Sequence, residues 1–375
     1  MIQSLRKILG REYYPINRIT ISKNDLISSY KYLSHLNKNI KIAPVLKSNA
    51  YGHGINTVAK ILDELNQPFF CVDSLFEAYE LFKEKIKSDI LIMGYVRPEN
   101  LRIKILPFSY AIYDLDLAEA INEYQPGAKI HIKVDTGMHR LGVPVKDLRD
   151  FVKKLKRFKY LNIEGLMSHL ADPLNANTTG KQLTSFEDAS AILDSEGFEL
   201  KYKHIAASGG LLKIDKSRLS KISNLSRAGI ALYGLSPLGK NPQLKPALQF
   251  SSIIGQIKKL TKGDKVGYSG TFTSSKNMLL GILPAGYFDG VDRRLSNKGI
   301  VLVDGKQCPI IGRVSMNITT IDLTNVKNPK VGQEAIVYSS ERKNLNSVEN
   351  TAKLCETIPH EILIHLKSTI RREII

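Results

Sequence analysis

The chain has 375 residues, and its 54 Lys plus Arg against 36 Asp plus Glu give a formal charge of +18. Apolar residues make up 43% and charged residues 24%, near globular averages, which excludes a disordered, collagen-like or coiled-coil chain. The length allows one large or two ordinary domains.

Three scattered cysteines, Cys71, Cys308 and Cys355, make neither a disulfide framework nor a zinc-site spacing and fit a reduced cytosol. The opening MIQSLRKILGREYY is basic but lacks the apolar run of a secretory signal. No stretch reaches the ~18–20 apolar residues that span a bilayer, so a cytoplasmic protein with no membrane partner is expected. The basic residues are spread along the chain. Their densest run, FVKKLKRFKY (151–160), reads as a solvated helix face interrupted by Phe151, Leu155 and Phe158. No nucleic-acid reader motif accompanies the charge, so nucleic acid is not an expected partner.

From residue 41 onward, short apolar runs alternate with amphipathic stretches. The runs are IAPVL (42–46), FFCV (69–72), ILIMG (90–94), YAIY (110–113), KIHIKV (129–134), NIEGLMSH (162–169), YKHIAAS (202–208) and the region 224–233. Between them, LFEAYELFKEKI (75–86) and LDLAEAINEY (115–124) carry apolar residues at helical spacing. Strand–helix alternation predicts parallel βα units, and eight units predict an α/β fold of the (β/α)8 TIM-type barrel. An open dinucleotide-binding sheet would carry GxGxxG after its first strand, whereas this chain has KSNAYGHG. After GKNPQLKPAL the texture becomes β-rich, with turn signals at KGDK, SNKG, VDGK and NPKVG. The expected domains are a barrel over 13–238 and a mainly β domain over 239–375, with residues 1–12 packing on the latter.

Catalytic groups of a parallel barrel sit at the C-terminal ends of its strands. Lys47, Asp135, Arg140, His169, Ser208 and Arg227 all fall there. A lysine partly desolvated at such a place serves as an amine nucleophile and later as a base. Taken alone, Lys47 reads more readily as a strand-end cation in solvent.

The neighbouring motifs decide otherwise. Residues 43–54 resemble the cofactor-lysine signature of the alanine racemase family, which uses pyridoxal 5'-phosphate. In the same order as in that family follow KVDTGMHRLGV (133–143), GLMSHLA (165–171), HIAASGG (204–210), RAGIALYGL (227–235), VGYSGTFT (266–273), GYFDGVDRRLSNKG (286–299), GRVSMN (312–317) and TIPHE (357–361). The resemblance covers essentially the whole chain.

It implies that Lys47 carries the cofactor and is one of two proton-transfer bases, with Tyr268 of a second subunit as the other. Racemisation needs a base on each face of the substrate Cα. It implies that Arg227 faces the pyridine nitrogen and is hydrogen-bonded by His169. A guanidinium stays protonated, so it does not readily pass a proton to the ring. Arg140 and the backbone N–H of Met316 would meet the substrate carboxylate. Tyr51, Ser208, Gly229 and Ile230 would cradle the phosphate. Lys133 aligns with a lysine that some members carbamylate, which would turn a cation into an anion beside Arg140.

The implied activity is interconversion of L- and D-alanine by a homodimer with shared active sites and no metal, supplying D-alanine for peptidoglycan. The alternatives are a broad-specificity amino-acid racemase of the same fold and a non-catalytic pyridoxal-phosphate-binding protein. The chain departs from the family pattern at Asn317, at His360 and in the C-terminal arm HLKSTIRREII, where Ser368 stands near a position that holds a tyrosine in some relatives.

Overall fold

The computed structural model describes residues 14–375. They form two compact units: Lys23–Ala247, and the described residues up to Ser22 together with Leu248–Ile375. The sequence reading began the barrel at residue 13 and ended it at 238. In the structure the first strand, β1 (Arg18–Ile21), pairs with β11 (Leu248–Ile253) and with β20 (Arg371–Ile374), so it belongs to the second unit. The expected packing of residues 1–12 lies outside the described residues.

The unit Lys23–Ala247 is the expected barrel. Its eight parallel strands are β2 (Lys41–Pro44), β3 (Phe70–Val72), β4 (Ile90–Ile92), β5 (Phe108–Ile112), β6 (Lys129–Asp135), β8 (Asn162–Met167), β9 (Tyr202–His204) and β10 (Leu225–Ala228). A short β7 (Val143–Pro144) extends the end of β6. Strands β3 to β9 pair continuously, and β10 pairs with β2. Parallel bridges Val45–Cys71 and Ala207–Arg227 close the ring.

Strands covered on both faces read as nearly continuous apolar runs, and β3, β4, β5 and β10 are buried at every residue. Helices Leu75–Lys83 and Leu115–Tyr124 lie where periodicity predicts, each opened by a side-chain cap, from Ser74 and Asp114 respectively. The basic run 151–160 is only partly helical. Helix Leu148–Leu155 buries Phe151, Val152 and Leu155 and ends before residue 156.

The second unit is mainly β. Its larger sheet runs β17 (Lys306–Pro309), β16 (Ile300–Val303), β19 (Glu334–Tyr338), β11, β1, β20. A three-stranded sheet joins β12 (Gln256–Leu260), β15 (Met278–Leu283) and β18 (Thr319–Asp322), and β13 (Lys265–Val266) pairs with β14 (Phe272–Thr273). Among the described residues no helix is long and apolar enough to cross a membrane.

Candidate active site

Lys47 follows β2 in a turn of unusual hand. Ser48, Asn49, Ala50 and Tyr51 all have φ between 52° and 55°, one left-handed helical turn made without glycine. Each L-residue there costs about 1–2 kcal/mol, so the surroundings must hold the turn. Glu77, from helix Leu75–Lys83 after β3, does so: its Oε1 accepts from the Ser48 N–H at 2.6 Å. The Asn49 Oδ1 accepts from the Ile55 N–H at 2.9 Å. The other oxygen of Glu77 accepts from the Asp73 N–H at 2.9 Å, which ties the loops after β2 and β3 together. Lys47 Nζ then stands 3.7 Å from Asp73 Oδ1.

Arg227 lies inside the barrel on β10 and is buried. Its Nη1 donates to His204 Nδ1 at 2.5 Å and to the His204 carbonyl at 3.0 Å. Its Nη2 donates to the Ser168 carbonyl at 2.5 Å and to His169 Nδ1 at 3.2 Å. Burial lowers the Arg227 pKa to about 10, still a cation at neutral pH. Burial, then the charges of Arg227, Arg140, Lys133 and Lys47, push His169 down to about 3, so its ring is neutral and free to accept. Lys47, Lys133, Arg140 and Arg227 all lie near enough to His169 to act on its ring.

Lys133 and Arg140 come from β6 and the loop after it. Asp135 Oδ1 collects the N–H groups of Gly137, Met138 and His139 at 2.9, 3.0 and 3.1 Å. This carboxylate nest fixes the TGMHR loop and presents Arg140, which is exposed. Burial, followed by repulsion from Arg227 and Arg140, lowers the Lys133 pKa to about 8.

The remaining barrel residues form a cradle. Ser208 opens the short helix Ser208–Lys213, and its Oγ accepts from the Gly229 N–H at 3.0 Å and the Ala231 N–H at 3.2 Å. Ile230 lies between them and is buried. The Tyr51 hydroxyl lies 2.3 Å from the point a Cβ of residue 229 would occupy, so any larger residue there must displace it. Tyr51, Ser208, Gly229 and Ile230 are therefore brought together.

Tyr268 and Met316 belong to the second unit. Tyr268 is 71% exposed, in a turn with Gly267 and Ser269 at positive φ, and is not part of a β core. Met316 is 54% exposed. Asn317 is exposed as well. The divergent C-terminal arm is held by Arg372, whose Nη1 donates to the carbonyls of Lys367, Ser368 and Ile370 at 2.6, 2.9 and 2.6 Å.

Sequence reasoning missed Asp73, Glu77, His131, Glu164 and His204. One signal was present: in KIHIKVD, polar residues 129, 131, 133 and 135 alternate with buried apolar ones, which marks a polar face inside the barrel.

Fold and site define a two-domain (β/α)8-barrel protein with a lysine at a strand end, a buried arginine and a glycine–serine cradle after the seventh and eighth strands. Phosphate-binding loops after the seventh and eighth strands are a recurrent feature of such barrels. Residues 21–237 match the alanine racemase N-terminal domain and residues 247–374 the alanine racemase C-terminal domain. The chain belongs to the alanine racemase family. It is 36% identical to the alanine racemase of Syntrophobacter fumaroxidans over 86% of this chain and 87% of that one. Its fold superposes on the alanine racemase of Clostridium difficile 630 with a TM-score of 0.88 at 27% identity, covering 97% of each chain. On the Bacillus anthracis alanine racemase with bound L-Ala-P the TM-score is 0.87 at 27% identity, covering 97% of this chain and 96% of that one.

Proposed function

We propose that this chain interconverts L- and D-alanine with pyridoxal 5'-phosphate, acts as a homodimer in the cytoplasm, and supplies D-alanine for peptidoglycan. The observation that carries the reading is the joint placement of Lys47, Arg227 and the Tyr51–Ser208–Gly229 cradle in one barrel. The residues suit the cofactor: the cradle is one a Cβ at residue 229 would fill, and the region is rich in cations. Tyr51, Ser208, Gly229 and Ile230 would hold the phosphate. Arg227 spends Nη1 and Nη2 on protein acceptors, and its Nε–H, with no partner among the described residues, would meet the pyridine nitrogen. When bound, the cofactor supplies an electron sink for the pair left at the substrate Cα.

Lys47 would hold the cofactor and carry a proton on one face of Cα, and Tyr268 of the other subunit would carry it on the opposite face. The exposure of Tyr268 supports a role outside its own β core. Arg140 and the Met316 N–H would bind the substrate carboxylate, with a bidentate guanidinium fork suited to that task. Arg227, remaining a cation, would not give the ring nitrogen a proton and would thereby restrain transamination. Carbamylation of Lys133 requires its neutral amine, and the lowered pKa of about 8 favours that form.

The test is chiral analysis of L-alanine incubated in heavy water with protein and pyridoxal phosphate. D-alanine carrying deuterium at Cα is the expected product, and its absence overturns the reading. Lys47→Ala should abolish cofactor retention and turnover. Tyr268→Phe should retain the cofactor and slow reaction mainly from L-alanine.

A further inference from the structure

Beyond Arg227 the barrel interior buries His204, His131 and Glu164, titratable groups for which racemisation has no direct use. They are in line. Arg227 Nη1 donates to His204 Nδ1 at 2.5 Å. His204 Nε2 lies 2.8 Å from His131 Nδ1. His131 Nε2, fully buried and without a hydrogen-bond partner, faces Glu164 Oε2 at 3.6 Å. Lys201, just before β9, contacts the other Glu164 oxygen at 3.0 Å.

The two ends fix every proton between them. A guanidinium only donates, so His204 must present a lone pair at Nδ1 and carry its proton on Nε2. That proton points at His131 Nδ1, which must accept, leaving the His131 proton on Nε2. An ionised carboxylate only accepts, so the Glu164 oxygen 3.6 Å away draws that last N–H toward it electrostatically. Reading from the Glu164 end gives the same two tautomers. Both rings stay neutral: burial and then Arg227 hold His204 well below its usual range, and burial outweighs Glu164 at His131. For Glu164, burial opposes ionisation but the His131 and Lys201 contacts prevail, lowering it to about 2.

The backbone is shaped for this line. Pairing of β6 with β8 runs Ile130–Ile163 and then His131–Gly165, so Glu164 is the extra residue of a β-bulge. Bulges re-aim a side chain. A Cβ on Gly165 would sit 2.4 Å from His131 Nδ1, so glycine there makes room for the ring. Phe69 and Tyr202 flank that ring, edge-on at 5.3 Å and stacked at 6.0 Å.

We propose that His131 and Glu164 are positioning residues for Arg227. With His204 they form a one-directional N–H chain that ends on a buried carboxylate, orients the guanidinium and balances its charge. The consequence for chemistry rests on the reading of Arg227 as the partner of the pyridine nitrogen, whereas the tautomers do not.

The test uses 15N-histidine spectra of the full chain without cofactor. In the wild type both His131 and His204 are expected as neutral Nε2–H tautomers at neutral pH. In Arg227→Met the pattern should persist, because Glu164 still sets the direction. In Arg227→Met combined with Glu164→Gln neither end imposes a direction, and mixed tautomers are expected. An Nδ1–H or cationic ring in the wild type overturns the proposal, and so does scrambling in Arg227→Met alone or an unchanged pattern in the double variant. If the variants fail to fold, the wild-type spectrum still decides.

With cofactor, Glu164→Gln should raise transamination relative to racemisation by about threefold to tenfold, the size of one weakened charge-assisted contact. Arg227→Glu serves as the reference. If it leaves that ratio unchanged, the pyridine-nitrogen reading falls while the spectra still judge the chain of tautomers.

Discussion

The hydroxyl oxygen of Tyr51 stands 2.3 Å from the point a Cβ on residue 229 would occupy, and the adjacent ring carbon is 3.0 Å from it. Tyr51 cannot retreat freely, because its ring packs against Tyr233 with centroids 5.0 Å apart and Tyr233 is anchored to the Val45 carbonyl at 2.7 Å. Gly229→Ala should therefore displace Tyr51 from the cradle. Overpacking of this kind costs about 1–3 kcal/mol, and a cofactor site missing one donor should lose about tenfold or more in affinity. Absorbance titration with pyridoxal phosphate measures it. Tyr51→Phe added to Gly229→Ala should recover part of the thermal stability, since the closest atom is then gone. Equal affinity in wild type and Gly229→Ala would show that the hydroxyl is not part of the phosphate site.

A second prediction concerns the left-handed turn. Glu77 accepts two backbone N–H groups, from Ser48 and from Asp73, on two different loops. These are charge-assisted bonds at a partly exposed carboxylate, so Glu77→Ala should cost about 1–2 kcal/mol of stability. It should also slow attachment of the cofactor to Lys47, because that lysine begins the turn. Ser48→Gly acts oppositely. Ser48 is exposed at φ 55°, where glycine removes a strain of about 1–2 kcal/mol and returns part of it as unfolded-state entropy. Its urea midpoint should rise slightly at unchanged slope. A lower midpoint would mean the Ser48 side chain stabilises the turn.

These residues show what sequence reasoning reaches. The eight barrel strands were legible because a strand covered on both faces must be apolar throughout, and IAPVL, FFCV and ILIMG are. Lys47 was legible because it directly follows such a run, and Ser208 because it ends the seventh. Glu77 was not, since it is one of several charged residues on an amphipathic helix and its partner Ser48 is 29 positions away. Glu164 was hidden by the bulge, which no periodicity marks. The pairing of RITI (18–21) with residues 248–251 depends on a contact spanning most of the chain, and local alternation cannot choose that partner. The left-handed turn of Ser48–Tyr51 runs against the preference of Ser48, Ala50 and Tyr51 and is set by what surrounds it.

Gly165 should be as intolerant as Gly229, for a different reason. Its missing Cβ leaves 2.4 Å to His131 Nδ1 and 2.8 Å to Cε1, and the His131 ring is fixed by Phe69, Tyr202 and His204. Gly165→Ala should push His131 off the His204 contact and lower stability by about 1–3 kcal/mol. His131→Ala in the same chain should relieve the clash, so the double variant should be more stable than the sum of the singles. A thermal-melt double-mutant cycle reads this coupling. Additive effects would mean the alanine is accommodated by backbone movement instead.

Lys133 yields a prediction with a sign. Its pKa falls from 10.5 to about 8 on folding, by burial first and then by repulsion from Arg227 and Arg140. The folded state thus binds its proton less tightly than the unfolded state, and between about pH 8 and about pH 10.5 the unfolded chain holds more protons, so stability rises with pH across that window. Below it both states are charged and the full penalty is present. Lys133→Met, measured in buffer free of carbon dioxide, should accordingly be more stable than wild type by about 2–3 kcal/mol at neutral pH, with the gap closing above about pH 8. Adding bicarbonate should raise the wild-type melting temperature and leave Lys133→Met unmoved, because a carbamate on Lys133 replaces a repelled cation with an anion beside Arg140. A gap that stays constant with pH would show that Lys133 is not held as a strained cation, and equal bicarbonate responses would exclude carbamylation at this residue.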